Sequence, residues 1–278
     1  MLGQRVLTAV VLLALLVPAL FAPQSWPFNL LTLLLIAAAG WEWARLNQSG
    51  MWPSLALGTV LALACAAALG AGWSLHPPAT TWWLAATVWV AGGALALRSG
   101  PSLWPQLPRL ARVALGLAAL WAAWLAISHS RSIGINFILS VFCLVWVADI
   151  AAYFGGRRFG KRKLAPSISP GKSWEGVYSG MAGVFVLALA WRALESHFQA
   201  DSLSLFGQLL DRLGLLGGLL ALALLAGMSV VGDLIESLVK RAAGAKDSSR
   251  LLPGHGGVLD RVDALLPVFP LSLALLSL

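Results

Sequence analysis

The sequence predicts an all-α, polytopic integral membrane protein of about nine transmembrane helices. Three observations predict it. The chain of 278 residues is 59% hydrophobic and 11% charged, whereas a soluble chain of this length needs far more charge on its surface. Its apolar residues come in long runs, and about 20 such residues cross the hydrocarbon of a bilayer as a helix. The runs do not alternate between apolar and polar, so barrel strands are excluded, and only helices can pair the backbone within lipid.

Nine runs follow one another, at 6–22, 28–44, 53–74, 80–97, 111–128, 134–156, 176–192, 213–235 and 264–278. The first resembles a signal peptide in position. Its length, the lack of a small-x-small cleavage site and the spans after it make it the first transmembrane helix. The last carries Pro267 and Pro270 and is expected to be broken or tilted. Tryptophans 26, 41, 43, 52, 73 and 191 stand near run ends, as interfacial anchors do. Cys65 and Cys143 each lie inside an apolar run, and both read as small buried residues rather than a disulfide or a metal site. No internal repeat or low-complexity linker divides the chain. Residues 1–278 form one integral domain, with 1–130 a motif-poor scaffold and 134–278 carrying the catalytic spans and loops.

The net charge of +8 is a matter of topology. Sixteen of the nineteen Lys and Arg fall at the N-terminus and in the loops after runs 2, 4, 6 and 8. Only Arg131, Arg192 and Arg212 fall on the other side. This bias places the N-terminus in the cytoplasm and the C-terminus outside. It also accounts for the cations without nucleic acid. Asp149, Asp233, Glu236, Asp260 and Asp263 then converge on the cytoplasmic leaflet, beside the two most cationic loops.

Those loops carry the chemistry. Ser237–Asp263 is a polar island of 27 residues with five cations, three aspartates, four glycines and one histidine. On a helix continuing run 8, Asp233, Glu236, Ser237 and Lys240 share one face, with Arg241 beside it. An ordinary solvated helix end would look similar, but an ionisable group at membrane depth points to function. Leu252–Asp263 is a glycine-rich turn opening into a helix, suited to bring backbone N–H groups against an anion. Asp260 and Asp263, three apart, either complement that helix start or join Asp233 in holding a hard cation, Mg²⁺. In the other loop, Gly171-Lys172-Ser173 is not the end of a P-loop, because Pro166 stands where the first glycine is required. Lys172, Ser169 and Ser173 can still hold a phosphate. Arg157, Arg158 and Arg162 read as topology determinants that contact anionic lipid. Carboxylates for a divalent cation beside cations for phosphate suit phosphoryl or nucleotidyl transfer onto a membrane lipid.

These residues also resemble a known family. Ser237–Asp263 follows S-x-x-K-R-x4-K-D-x-S-x2-L-P-x-H-G-G-x-x-D-R-x-D, and Asp149–Gly176 contains A-Y-F-x-G-R-x-F-G-K and I-S-P-x-K-x-x-E-G. Both blocks are similar to those of the phosphatidate cytidylyltransferases (CDP-diacylglycerol synthases). Together they cover about a fifth of the chain. The resemblance implies that CTP and phosphatidate give CDP-diacylglycerol and pyrophosphate, with Mg²⁺ and a possible second cation. It implies catalytic roles for Asp233, Lys240, Lys246 and Asp260, and metal binding by Asp149, Asp233, Asp260 and Asp263. It implies substrate binding by Ser169, Lys172, Ser173, Ser237, Arg241, His255, Gly256, Gly257 and Arg261. Membrane lipids and further copies of the chain in a homo-oligomer are the other expected partners. The Ala-, Leu- and Trp-rich spans suggest a bacterial inner membrane. Two rival readings are a nucleotide-dependent polyprenol or phytol kinase and an ion-coupled transporter. The crowding of polar residues at one leaflet counts against the transporter.

Overall fold

In the computed structural model, which describes residues 2–195, 197 and 200–278, the apolar runs become helices. The side chain of Arg5, counted above, lies outside the described residues. Among the described residues, seven helical stretches are long and apolar enough to cross a membrane. They are α2 (Trp26–Leu46), α3 (Met51–Gly70), the continuous stretch Ala79–Ser99, α6 (Arg109–Ile133), α7 (Ile135–Phe159), α8 (Trp174–Glu195) and α9 (Leu205–Ala242). The third of these is α4 (Ala79–Thr87) and α5 (Gly93–Ser99) joined through a π-helical turn at Val88–Gly92.

The first and ninth runs differ from the other seven. Helix α1 (Leu2–Phe21) has a described apolar stretch of only Val6–Phe21, and it carries Pro18. Helix α11 (Leu265–Leu276) has 12 residues, so it rises about 18 Å and covers little more than half of a bilayer core. Nearly every residue of α11 is buried, and it packs against α4, α6, α7 and α9. An apolar segment surrounded by protein does not need spanning length. Its two prolines are accommodated there: Pro267 lies in the first turn, and Pro270 is inside the helix.

Helix α9 begins before its apolar run and ends after it. Ser204 caps it by accepting from the Gly207 N–H at 3.0 Å. Gly214, at φ 68°, breaks the helix near the start of the run. Beyond the run the helix continues to Ala242 and so carries Asp233–Arg241 in regular geometry.

One element departs from the all-α expectation. Residues Lys163–Ala165 (β1) and Ser169–Ser173 (β2) form a small antiparallel hairpin between α7 and α8. Glu175, in the first turn of α8, accepts the Lys161 N–H at 3.0 Å and the Arg162 N–H at 3.1 Å and closes the base of the hairpin. α7 and α8 lie side by side, with Ala148, Ala152, Gly176 and Gly180 at their contact. At the opposite end of α7, Asp201 accepts the Ile135 N–H at 2.6 Å and the Asn136 N–H at 3.0 Å, capping the helix start. This capping fixes the direction in which α7 delivers Asp149.

Candidate active site

The hairpin brings a lysine to α9. Its second strand carries Lys172 to Asp233 on α9, and Nζ stands 2.6 Å from Oδ2. Ser237, one helical turn on, donates to the other oxygen of Asp233 at 3.2 Å. This pair joins the first motif segment to α9 just ahead of the second, across 61 residues of chain. A cavity of about 490 Å³ opens beside it, lined by Asp149, Tyr153, Ser169, Lys172, Ser173 and Asp233 among others. Ser173 is buried and accepts the Gly176 N–H at 3.2 Å, so it also caps α8. The Asp149 carboxyl faces the same space from α7.

A second ion pair lies further along α9. Lys240 Nζ donates to Asp260 Oδ1 at 2.6 Å and contacts Glu236 on its own helix. The single face expected for residues 233, 236, 237 and 240 is therefore present in the contacts. Asp260 also accepts the Ser248 N–H at 2.9 Å, the Ser248 hydroxyl at 2.7 Å and the Gly257 N–H at 2.7 Å. Burial alone would raise its carboxyl. Lys240 and these N–H and O–H donors outweigh that and hold it down to about 2. Asp263 is the opposite case. Burial, followed by the nearby Asp233 charge, pushes its carboxyl up to about 7.

The motif loop between them is fastened from an unexpected direction. Glu42, near the end of the sequence's second apolar run, is 0% exposed. One of its oxygens accepts from the Ser249 hydroxyl at 2.5 Å and from the Val258 N–H at 3.0 Å. The other accepts from the Leu259 N–H at 2.7 Å and lies 3.3 Å from the Ser248 hydroxyl, whose one proton goes to Asp260. Two of these donors are free N–H groups at the start of the short helix α10 (Leu259–Val262), which no side chain of its own caps. Glu42 thus caps α10 from a helix more than 200 residues earlier in the chain. Gly257 makes room for it. A Cβ there would lie 2.1 Å from the Ser248 hydroxyl and 2.3 Å from a Glu42 oxygen.

The other expected residues fall in different places. Arg261 donates to the His255 carbonyl at 2.8 Å and holds the loop's far side. The buried His255 Nδ1 has no hydrogen-bond partner among the described residues. Arg241 donates to the Ile168 carbonyl at 3.3 Å, which ties the hairpin turn to α9. Lys246 lines a separate cavity with Arg45 and Arg250, apart from the Lys172–Asp233 pair. Gly256 adopts φ 81°, the left-handed conformation that turns the chain toward Asp260.

Glu42 and Glu175 are the site residues that motif reasoning missed. Glu175 stood inside a quoted motif without a role. Glu42 had its own signal, a carboxylate within an apolar run, which by itself is a reason to suspect function.

Comparison with known proteins bears on the whole chain. The model of a family described as the cytidylyltransferase family matches residues 3–278. A phosphatidate cytidylyltransferase of Pseudomonas aeruginosa is 40% identical over 282 residues, covering 99% of this chain and 97% of its own length. One from Haemophilus influenzae is 38% identical over 293 residues, covering 97% of this chain and 96% of its own length. One from Brucella suis is 46% identical over 132 residues, covering 48% of this chain and 43% of its own length.

Proposed function

The chain belongs to the cytidylyltransferase family, and from that membership together with its site we propose that it transfers the cytidylyl group of CTP to phosphatidate. The products are CDP-diacylglycerol and pyrophosphate, the enzyme is a nucleotidyltransferase, and its place is phospholipid biosynthesis. The observation that supports the site assignment best is the Lys172–Asp233 pair, which joins the hairpin of the Asp149–Gly176 segment to α9, the helix that runs on into the Ser237–Asp263 segment.

The reaction needs a phosphate oxygen of phosphatidate to attack the α-phosphorus of CTP in line. A P–O bond forms there, the bond to the bridging oxygen of the β-phosphate breaks, and pyrophosphate leaves with the electron pair. The nucleophile is already an anion, so no strong general base is required. What the protein must supply is position and positive charge around the phosphates. Lys172 and Lys240 hold two such charges beside carboxylates, and Ser169, Ser173 and Ser237 supply hydroxyls near the first. His255 offers its unpartnered nitrogen and Arg261 its guanidinium at the glycine loop. Arg241 keeps the hairpin against α9 so that Lys172 stays in reach. Lys246, in its own cavity with Arg45 and Arg250, serves an outlying phosphate or the lipid surface.

Mg²⁺ is part of the proposal. The donors fit a hard divalent cation in kind, since Asp149, Asp233 and Asp263 offer only carboxylate oxygens. The neutralising pull of a cation also suits Asp263, which burial and the Asp233 charge keep reluctant to ionise. Among the described residues, no three His, Cys, Asp or Glu stand close enough to share an ion. Asp260 is engaged by Ser248, Gly257 and Lys240, so it is the least free of the four candidates. When bound, the ion would neutralise charge on the reacting phosphates and the leaving pyrophosphate. Asp233 is then shared between this role and its hold on Lys172.

We place the site at the cytoplasmic face of a bacterial inner membrane, which the Lys and Arg bias between loops supports. Purified protein given CTP, phosphatidate and Mg²⁺ should release pyrophosphate and a cytidine-bearing lipid in equal amounts, and EDTA should stop both. Formation of a nucleoside diphosphate with a phosphorylated lipid alcohol would instead identify a lipid kinase.

A further inference from the structure

An apolar groove of about 200 Å³ runs between α1, α2, α6 and α7 and ends beneath the motif loop. Its polar groups are few. Thr32 donates to the Phe28 carbonyl at 2.9 Å and accepts the Trp124 indole N–H at 3.2 Å, so both are already partnered. That leaves Arg261, at the loop end, as the one charged wall residue among the described residues. Apart from the indole of Trp146 at the groove's open side, a polar ligand would find no side chain to bond along the rest of it. An alkyl chain with an anionic end would match it along its whole length. Leu15 and Trp146 line the groove and are about half exposed, so it opens sideways onto the outer face of the bundle.

The groove and the polar cavity also share one face of α7. Phe142, Trp146, Asp149, Tyr153 and Gly156 are spaced four, three, four and three residues apart, and they form one face of α7. The first two wall the apolar groove, and the last three line the cavity beside Lys172 and Asp233. On the other wall, the Thr8 hydroxyl on α1 donates to the Pro253 carbonyl of the motif loop at 2.9 Å. The helix that closes the groove is therefore tied to the loop that carries His255 and Arg261.

We propose that this groove holds one acyl chain of a diacyl phosphatidate while Arg261 and the motif loop hold its phosphate, an inference that rests on the functional reading above. The lipid then enters sideways from the bilayer, past α1, without its tails leaving an apolar medium. The groove, rather than the polar cavity, sets the dependence on chain length.

The test uses the purified full chain in nanodiscs, with dioleoyl and dihexanoyl phosphatidate as substrates. Each methylene kept out of an apolar site costs roughly fourfold in affinity. Ala123→Phe and, independently, Leu12→Trp fill the groove from two different helices. Each should raise KM for the dioleoyl lipid about fifteenfold, corresponding to two excluded methylenes. KM for CTP and for the dihexanoyl lipid should stay within about twofold. Equal changes for both lipids, or no change for either, overturn the proposal. A second measurement needs no variant. Phosphatidate carrying a diazirine near the end of one chain should label groove residues of α1, α2, α6 or α7. Unlabelled dioleoyl phosphatidate should displace it, and phosphatidylcholine should not. Labelling elsewhere, or equal displacement by both lipids, overturns the proposal. If the wild-type chain makes no cytidine-bearing lipid from either substrate, the functional reading fails, and the labelling alone decides what the groove binds.

Discussion

Replacing Glu42 by glutamine tests whether the motif loop is held from α2. The carboxylate accepts three hydrogen bonds, from the Ser249 hydroxyl and the Val258 and Leu259 N–H groups, and the residue is fully buried. Glutamine keeps one acceptor oxygen. Its NH₂ group must face one of the two backbone N–H donors and cannot accept from it. A hydrogen bond to a charged group contributes about 1.5–3 kcal/mol, and a buried donor left without a partner costs a similar amount. One such bond is lost, one N–H is left unpaired, and the bonds that remain lose the charge. A net cost of about 3 kcal/mol remains, concentrated in residues 248–259. If that cost appears in the reactive geometry, kcat/KM falls about 10²-fold. The assay is pyrophosphate release at saturating and limiting CTP, together with hydrogen exchange of the Val258 and Leu259 amides. Both amides should lose protection in Glu42→Gln while spans far from the loop keep theirs. Activity within about threefold of wild type, with unchanged exchange at those amides, would show that Glu42 does not position the loop.

Three further outcomes follow from the same geometry. Gly257→Ala puts a methyl group 2.3 Å from a Glu42 oxygen and should cost as much activity as Glu42→Gln, while Gly171→Ala, whose Cβ meets nothing within 4 Å, should cost little; pyrophosphate release compares the two. Asp233→Asn removes the partner of Lys172 and a candidate ion ligand, so kcat should fall about 10²–10³-fold with the thermal midpoint little changed, read by turnover and by differential scanning fluorimetry. In EDTA, Asp263, raised to about 7 from an ordinary 3.8, contributes stability that is full below about pH 4 and lost as pH rises through 7. Asp260, lowered to about 2, contributes stability that is present above about pH 4 and lost as pH falls toward 2. At pH 8, Asp263→Asn should therefore raise the melting temperature of the metal-free protein, and Asp260→Asn should lower it.

Run length and one helical repeat carried much of this structure. Seven of the apolar runs became helices of spanning length because the bilayer sets a minimum that composition alone reveals. The stripe from Asp233 to Lys240 was legible because a helix places residues three and four apart together, and the contacts Ser237–Asp233 and Lys240–Glu236 follow from that. Long-range pairing was not legible. Nothing in local pattern says that Lys172 meets Asp233, or that Lys240 meets Asp260 rather than a phosphate alone. The hairpin at 163–173 was hidden because its cations and prolines read as loop, and its strands are only three and five residues long. Lys246 looked equivalent to Lys240 in the motif, yet the turn at residues 243–250 carries it to another cavity. The short final helix could not be told from a span by composition, because burial in protein and burial in lipid select the same residues.

The fastening of the motif loop by Glu42 has a consequence for how the chain is made. Glu42 leaves the ribosome and enters the membrane more than 200 residues ahead of the amides that will receive it. A carboxylate buried without partners is costly. The donors that surround this one do not exist until the last loop is made, so the site is completed only after synthesis has passed Leu259.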